Sequence, residues 1–166
     1  MAFTKNMQDA LNTQICSEFS SAYTYLAMSA HCSAQSLDGF ASWLRTQAQE
    51  EAGHAIKIYD YVEDRGGRVA LQAIGQPQAE WKTALDLFQH VLKHERHVTG
   101  EIDALYALAI AEKDYASQAF LQWFVTEQIE EEKTATHVVE TLKLVGEHRE
   151  ALIMLDRELG TRGAAD

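Results

Sequence analysis

The sequence is short of residues that interrupt helices. It contains a single proline, Pro77, and 9 glycines in 166 residues, so long helices can form without a break. Its only cysteines, Cys16 and Cys32, are too few for a disulfide framework and lack the clustered spacing of a zinc site. No apolar stretch approaches the roughly 20 residues that a bilayer span needs. These absences argue against a disulfide-stabilised protein, a cysteine-rich metal domain and a membrane-spanning protein.

Positive charge is also scarce. Lys and Arg number 14 against 25 Asp and Glu, which gives a formal net charge of −11. This balance argues against nucleic acid or an anionic membrane as a partner, and it permits a surface that attracts cations. The N-terminal segment has no basic region followed by an apolar run, which predicts a cytoplasmic protein. With 46% hydrophobic and 23% charged residues, the composition predicts one helical domain over residues 1–166.

Turn and capping residues divide the chain into four long helices and one short helix. Gly66 and Gly67 end the second helix, and Thr83 followed by Asp86 resembles a capping box that opens the third. A long connection thus lies between two short turns, as in all-α, antiparallel four-helix bundles with one long crossover. The sequence predicts such a bundle with a short fifth, C-terminal helix. The predicted helices cover residues 5–34, 38–65, 83–112, 114–145 and 148–159.

Each long helix carries one glutamate in the middle of the stripe that it should turn toward the core. These residues are Glu18, Glu51, Glu95 and Glu131. An antiparallel bundle brings them to about the same level, where each unpaired buried charge costs on the order of several kcal/mol. No Lys or Arg lies on the inner stripes, so protons or metal ions are predicted to balance the charge.

The second helix adds a histidine to this set. Glu51 and His54 are three residues apart, so the carboxylate and the imidazole share one helical face. Alone, a Glu-x-x-His pair is weak evidence for metal binding. Together, four carboxylates and one imidazole can hold two divalent cations with balanced charge, and this oxygen-rich set suits iron or manganese better than zinc. The sequence therefore predicts a di-metal carboxylate site.

The helix plan and these residues resemble the bacterial non-haem ferritins over nearly the whole chain. Runs similar to the family's motifs in the second and fourth helices are residues 50–54 (EEAGH), 120–123 (FLQW) and 127–133 (EQIEEEK). The resemblance implies an iron storage protein with ferroxidase activity, which oxidises Fe(II) with dioxygen and stores Fe(III) oxide-hydroxide inside a cage of twenty-four subunits. Haem is not expected, because Ala52 stands where bacterioferritins place a haem-ligating methionine.

Roles for individual residues follow from the same resemblance. The implied first iron site is Glu18, Glu51 and His54. The second is Glu51, Glu95 and Glu131, with Gln128 close by. An adjacent third site is Glu50, Glu127 and Glu130, and Glu131 reaches both the second and the third site. Tyr25 and Trp123 fall where the family keeps aromatic residues beside the centre, and they donate electrons or simply pack. The third-site carboxylates have a second interpretation as ordinary exposed residues, because charge runs usually mark a solvated face.

Two other classes of protein stay open at this stage. One is another di-iron enzyme, such as a rubrerythrin-like peroxidase, although this chain lacks the four-cysteine iron domain of that group. The other is a non-enzymatic helical protein that buffers metal. The histidines outside the predicted site are interpreted as surface residues: His31, His90, His94, His97, His137 and His148.

Overall fold

The structure, a computed structural model, describes residues 3–162. The described residues form five helices and no strand: α1 (Lys5–Ala34), α2 (Asp38–Asp64), α3 (Ala84–Ala111), α4 (Tyr115–Val145) and α5 (Arg149–Leu159). The first two helices pack along each other, as do α3 and α4, while α1 also contacts α3 and the short α5 lies mainly on α2. The predicted four-helix bundle with one long crossover and a short fifth helix is confirmed. None of the helices in the described part of the chain is both long and apolar enough to cross a membrane.

Side-chain caps define where the long helices begin. The Thr4 hydroxyl accepts a hydrogen bond from the backbone N–H of Met7 at 3.1 Å, at the start of α1. At the start of α3, the Thr83 hydroxyl accepts from the Asp86 N–H at 3.0 Å, and the Asp86 carboxylate accepts from the Lys82 N–H at 3.0 Å. These bonds satisfy N–H groups that the first turn of a helix leaves unpaired.

Two apolar clusters fill the bundle on either side of its middle. Each helix contributes residues spaced by three or four positions, as expected for a core-facing stripe. The Phe88 cluster joins the C-terminal halves of α1 and α4 to the N-terminal halves of α2 and α3, with buried members that include Met28, Phe40, Trp43, Leu44, Phe88, Val91, Val138 and Leu142. The Leu11 cluster joins the opposite halves, with buried members that include Met7, Leu11, Ile15, Ile58, Val62, Ile102, Leu105 and Phe124.

The long connection between α2 and α3 is held on α1. The buried Asn12 donates from Nδ2 to the carbonyl oxygen of Arg68 at 3.0 Å and accepts at Oδ1 from the N–H of Ala70 at 2.8 Å. Beyond this point Leu71 and Ile74 are exposed. Residues 3–162 leave much of the apolar surface of these two side chains uncovered.

Backbone contact seats α5 against the start of α2. The Asp156 carboxylate accepts a hydrogen bond from the N–H of Phe40 at 2.9 Å. A Cβ atom added at Gly39 would meet the carbonyl oxygen of Asp156 at 1.6 Å, and one added at Gly160 would meet the Cα of Gly39 at 3.0 Å. The two glycines therefore allow α5 to approach α2 this closely.

Candidate metal centre

A polar level interrupts the core between the Phe88 cluster and the Leu11 cluster. The four predicted glutamates at this level come from four different helices, and each is at most 6% exposed. Each shares a helix face with apolar residues three or four positions away, so burial of the apolar stripe carries the carboxylate inward. The buried polar side chains of the level are Gln14, Glu18, Gln47, Glu51, His54, Glu95, Gln128 and Glu131.

Three of the predicted ligands form a compact group. Potential ligand atoms of Glu18, Glu51 and His54 all lie within 4.8 Å of one another. The distance from His54 Nδ1 is 3.6 Å to Glu51 Oε2 and 3.8 Å to Glu18 Oε2. Two carboxylates and an imidazole at this spacing can converge on one divalent cation.

One oxygen of this group is short of a partner. Glu18 Oε2 is buried and has no hydrogen-bond partner in the described part of the chain. Leaving a buried polar atom unpaired is unfavourable, because the atom loses its water without gaining a replacement. A bound cation would supply that interaction, so the donor set fits a metal ion.

Two glutamines hold the carboxylates in place. Gln14 donates from Nε2 to Glu18 Oε1 at 2.8 Å. The Gln47 amide donates from Nε2 to both Glu51 Oε1 at 3.1 Å and Glu131 Oε2 at 2.8 Å, which ties α2 to α4. The sequence-based prediction gave neither glutamine a role. Gln47 precedes Glu51 by four residues and so shares its inward face of α2, and this spacing is the only sequence signal for it.

Glu95 lies at the same level, between α1 and α4. The Tyr25 hydroxyl donates a hydrogen bond to Glu95 Oε1. Gln128 donates from Nε2 to Glu95 Oε2 at 3.3 Å and to the Glu95 backbone oxygen at 3.2 Å. Tyr25 and Gln128, two of the residues that the resemblance placed near the centre, therefore contact a predicted ligand.

Protons can balance part of the charge in the three-residue group. Burial, and then the charge of Glu51, raises the pKa of Glu18 well above its usual value. Burial also opposes ionisation of Glu51, but the hydrogen bond and charge of His54 lower the pKa of Glu51 overall. Burial works against the charged form of His54 too, yet Glu51 raises the pKa of the imidazole. Without metal, Glu18 and His54 therefore favour their protonated forms around an ionised Glu51.

Ionisation is also unfavourable for the carboxyl groups that α3 and α4 contribute to the polar level. Burial, and then the charge of Glu51, raises the pKa of Glu95 to about 8 and that of Glu131 to about 7. Burial and the charge of Glu95 raise the pKa of Tyr25 well above its usual value, so its hydroxyl stays protonated. A cation that binds here must displace protons from these carboxyl groups, and metal binding is therefore linked to proton release.

The three carboxylates predicted for a third site are more accessible. Glu50 and Glu127 are half-buried, and Glu130 is exposed. Glu127 precedes Glu131 by one helical turn and so shares its side of α4. Glu50 is in an ion pair with Arg162, whereas the Glu130 side chain makes no hydrogen bond or ion pair with any residue from 3 to 162. The structure thus arranges the third set less tightly than the first.

The two aromatic residues near the centre differ in exposure. Tyr25 is 1% exposed and contacts Glu95 directly. Trp123 is 39% exposed; its ring stands edge-to-face with His54, with centroids 5.3 Å apart, and the Lys57 ammonium lies 3.6 Å from the ring centroid. These contacts show packing at the centre, and a redox role for either residue stays a prediction.

The prediction that His94 is solvated is wrong. His94 Nε2 is 2.7 Å from Ser21 Oγ, and its ring packs edge-to-face on Tyr25 with centroids 5.9 Å apart. The close approach of α1 and α3 covers this face, which helical spacing within α3 alone does not reveal. His97 is exposed, as predicted, and lies 3.3 Å from Glu101.

Two further histidines are also less exposed than predicted. His31 and His90 are half-buried against Trp81, which itself belongs to the Phe88 cluster. Trp81 Nε1 donates to His90 Nδ1 at 2.9 Å, and the His31 ring centroid lies 5.3 Å from that of Trp81. The buried tryptophan in the connection before α3 supplies the partner that the sequence pattern did not indicate. His137 and His148 are exposed.

A positively charged side chain reaches the edge of the polar level. Arg162, just beyond α5, donates to Gln47 Oε1 at 3.0 Å and to Glu50 Oε2 at 2.6 Å. The inner stripes carry no Lys or Arg, as the sequence indicated. The inference that only protons or metal ions could balance the carboxylates nevertheless missed this cation, because it comes from outside the four helices.

Comparisons with known proteins agree with this arrangement. The family model described as a ferritin-like domain matches residues 8–145. The chain is 42% identical over 159 residues to a bacterial non-heme ferritin of Bacteroides fragilis (strain 638R), covering 96% of this chain and 99% of the relative. It is 38% identical over 159 residues to a bacterial non-heme ferritin of Staphylococcus aureus (strain MRSA252), covering 96% of each.

Solved structures give the same result. An open pore ferritin from the hyperthermophilic archaeon Archaeoglobus fulgidus matches with a TM-score of 0.96 at 47% identity, covering 97% of this chain and 99% of that chain. An engineered closed form of the Archaeoglobus fulgidus ferritin matches with the same TM-score and identity, covering 97% of this chain and 98% of that chain. With a carboxylate-rich level built from all four long helices, this chain belongs to the ferritin family.

Proposed function

We propose that this protein binds Fe(II) at the polar level, oxidises it with dioxygen and stores the Fe(III) product as an oxide-hydroxide mineral. The proposal rests chiefly on Glu18, Glu51 and His54, whose side chains are buried and whose potential ligand atoms lie within 4.8 Å of one another. Membership of the ferritin family supports the choice of iron. Iron is the substrate and the stored product in this proposal, and haem takes no part.

The first Fe(II) ion binds to Glu18, Glu51 and His54, where Glu18 Oε2 has no hydrogen-bond partner among the described residues. A second ion binds between Glu51, which bridges the two, and the carboxylates of Glu95 and Glu131. The burial of both glutamates supports this arrangement, as does the bond that links Glu131 through an amide to Glu51. The protein contributes mainly by holding two metal ions close together.

The two Fe(II) ions give up one electron each. One dioxygen molecule accepts both electrons and is reduced to peroxide. Anionic oxygen ligands favour the more highly charged ferric state, so the carboxylates assist oxidation. Binding of Fe(II) displaces protons from Glu95 and Glu131, whose pKa values of about 8 and about 7 keep them largely protonated in acidic solution. Hydrolysis of the ferric product releases further protons.

Storage requires an enclosed space, which a single bundle does not provide. We propose that the chain assembles as a cage of twenty-four subunits in the cytoplasm, as the family resemblance implies. The exposed Leu71 and Ile74 support burial of the crossover against a second subunit. The net charge of −11 supports attraction of Fe(II) toward the surfaces of the cage.

A third iron site at Glu50, Glu127 and Glu130 completes the proposed centre. Glu50 lies directly before Glu51, and Glu127 shares its side of α4 with Glu131. Their partial exposure supports a weaker and more exchangeable site than the first two. Gln128 stays beside Glu95 as an orienting residue in this scheme.

Removal of a first-site ligand tests the proposal. We expect Glu18→Ala and His54→Ala to weaken metal binding at the first site by about 100-fold or more, since residues that only orient a ligand already contribute roughly 10- to 100-fold. The fast phase of aerobic Fe(II) oxidation should slow accordingly, as measured by absorbance of the ferric product. We expect both metal-free variants to keep the bundle, because the substitutions leave the apolar clusters intact and Glu18→Ala removes a buried oxygen that has no hydrogen-bond partner among the described residues.

Glu63→Gln is the matched control, because Glu63 is an exposed carboxylate on α2 and its loss should leave oxidation unchanged. Unchanged initial oxidation in both Glu18→Ala and His54→Ala would rule out the ligand assignment. Wild-type protein should also retain many more than two ferric ions per chain without precipitation. Saturation near two would indicate another di-iron enzyme, such as a rubrerythrin-like peroxidase, and slow uncatalysed oxidation would indicate a metal buffer. Elution from size exclusion as a monomer or dimer would contradict the cage.

A further inference from the structure

Arg162 joins the C-terminal end of α5 to the edge of the polar level. Its guanidinium lies 4.5 Å from the centroid of the Trp43 ring. From that position it donates through Nη1 to Gln47 Oε1 at 3.0 Å and through Nη2 to Glu50 Oε2 at 2.6 Å. The side chain is 27% exposed, so it is partly removed from water. One planar cation therefore contacts an aromatic ring, an amide and a carboxylate of α2.

The docking of α5 fixes where Arg162 can reach. Asp156 binds the N–H of Phe40, and the contact between Gly39 and Gly160 holds the end of α5 on the start of α2. Arg162 follows Gly160 by two residues and continues along the same side of α2. Its position next to Glu50 is thus set by helix packing.

The pairing has consequences for two neighbouring groups. Glu50 Oε2 is already engaged by a guanidinium, and a divalent cation brought to that carboxylate would meet a like charge. Gln47 is fully buried, and its oxygen accepts from Arg162 while its Nε2 donates to Glu51 and Glu131. Arg162 thereby orients the amide that holds two predicted iron ligands.

The charges of Glu50 and Arg162 also act on a predicted iron ligand, Glu131. Burial and the charge of Glu51 raise the pKa of Glu131 to about 7; the charge of Glu50 adds to the rise, and that of Arg162 opposes it. Both members of the ion pair are therefore close enough to affect the centre.

We propose that Arg162 controls binding of a third cation to the centre: while its guanidinium binds Glu50 Oε2, that oxygen is unavailable as a ligand, and a third cation that uses it must displace the guanidinium. This inference rests on the proposed function, since it concerns the third site of the same centre. In this role Arg162 is a positioning residue for Glu50 and Gln47. The unoxidisable Zn²⁺ ion is a suitable probe, because its binding can be measured without turnover.

The test is calorimetric titration of the metal-free, assembled protein with Zn²⁺. In Arg162→Gln we expect the weakest class of sites to bind about five- to tenfold more tightly, the change expected for removing one partly screened charge interaction with a divalent ion. The Zn²⁺ affinity of the tighter sites should change by less than about threefold. Arg162→Lys should restore most of the wild-type affinity, because it keeps the charge without the planar fork. Arg157→Gln, at an exposed arginine of α5, is the matched control and should bind as wild type does.

The Glu50→Gln background identifies the carboxylate involved. There, Arg162→Gln should have no further effect on the affinity of the weakest sites for Zn²⁺, since the ion pair is already absent. The contact between Arg162 and Gln47 concerns the tighter sites, whose ligands Glu51 and Glu131 accept from Gln47. The inference is overturned if Arg162→Gln leaves the weakest sites unchanged, if it weakens all sites alike, or if its effect persists with Glu50→Gln. Failure of the proposed function has a different signature: wild-type protein would bind no Zn²⁺ that depends on Glu18 and His54.

Discussion

The apolar clusters and the polar level between them follow opposite physical rules within the same four helices. Burial of a large apolar side chain such as Phe88 contributes on the order of 2–3 kcal/mol. By contrast, ionising Glu95 in place is unfavourable, since one pKa unit corresponds to about 1.4 kcal/mol and its pKa rises to about 8. The bundle is therefore stabilised at both ends, and its groups that are costly to bury lie in the middle, at the proposed metal centre.

This contrast can be tested first where the largest effect is expected. Phe88 is fully buried, with ring centroids 5.4 Å from those of both Phe40 and Trp43. We expect Phe88→Ala to lower the free energy of unfolding by about 3–5 kcal/mol, through lost burial and the cavity it leaves. Denaturant unfolding of the metal-free protein measures this change, and Zn²⁺ stoichiometry should stay as in wild type.

Gln49→Ala, at an exposed position of α2, is the control and should change the unfolding free energy by less than about 0.5 kcal/mol. Loss of Zn²⁺ binding in a folded Phe88→Ala protein would show that the apolar cluster and the polar level are not separable.

A smaller effect is expected from pH. The pKa values of Glu18, Glu95 and Glu131 are raised above their ordinary value of 4.5, so the native metal-free state holds more protons than the unfolded state. Its stability should therefore fall as pH rises from about 5 to 8. The raised pKa of His54 acts in the same direction, whereas the lowered pKa of Glu51 acts mainly near pH 4.5 and below.

Thermal or denaturant unfolding at pH 5.5, 6.5 and 7.5 gives the measurement. We expect a loss of about 2–3 kcal/mol over this range for the metal-free protein, allowing for coupling among the carboxyl groups. Saturation with Zn²⁺ should abolish or reverse the trend, because the metal replaces the protons. A metal-free stability that rises with pH would mean that the carboxylates are not buried together.

The smallest effect concerns a single hydroxyl. The hydrogen bond from Tyr25 holds down the pKa of Glu95, against the larger effects of burial and of Glu51. We expect Tyr25→Phe to move the midpoint of pH-dependent Zn²⁺ binding upward by less than about one unit and to slow iron oxidation less than tenfold. Calorimetry across pH measures the first quantity. An unmoved midpoint with altered oxidation products would favour an electron-donor role for Tyr25 instead.

The fold could be predicted from the sequence because its signals are local. Capping residues such as Thr83 act within one turn, and the observed helix ends lie within a residue of those expected from them. The burial of the glutamates could also be predicted, since helical periodicity places Glu18 and Glu51 on the same face as apolar neighbours. This prediction did not depend on the conformation of any loop.

Most of the missed features depend on contacts between elements. His94 is shielded from solvent by residues of α1, and nothing in the sequence of α3 predicts that contact. Gln14 donates to Glu18 along α1, yet an amide has no periodic pattern that distinguishes a bonded residue from a solvated one. Arg162 lies beyond the last helix, where periodicity gives no position at all. Partners of this kind depend on three-dimensional packing.

The facing glycines at 39 and 160 give the C-terminal helix an unusual kind of attachment. Main chain rests on main chain there, with no flexible side chain between them to absorb movement. A force on α5, from a neighbouring subunit for example, would therefore displace the helix as a rigid unit, because no side chain at this contact can adjust its conformation. Because Arg162 lies at the end of this segment, a displacement of α5 would also move its guanidinium relative to the Glu50 carboxylate.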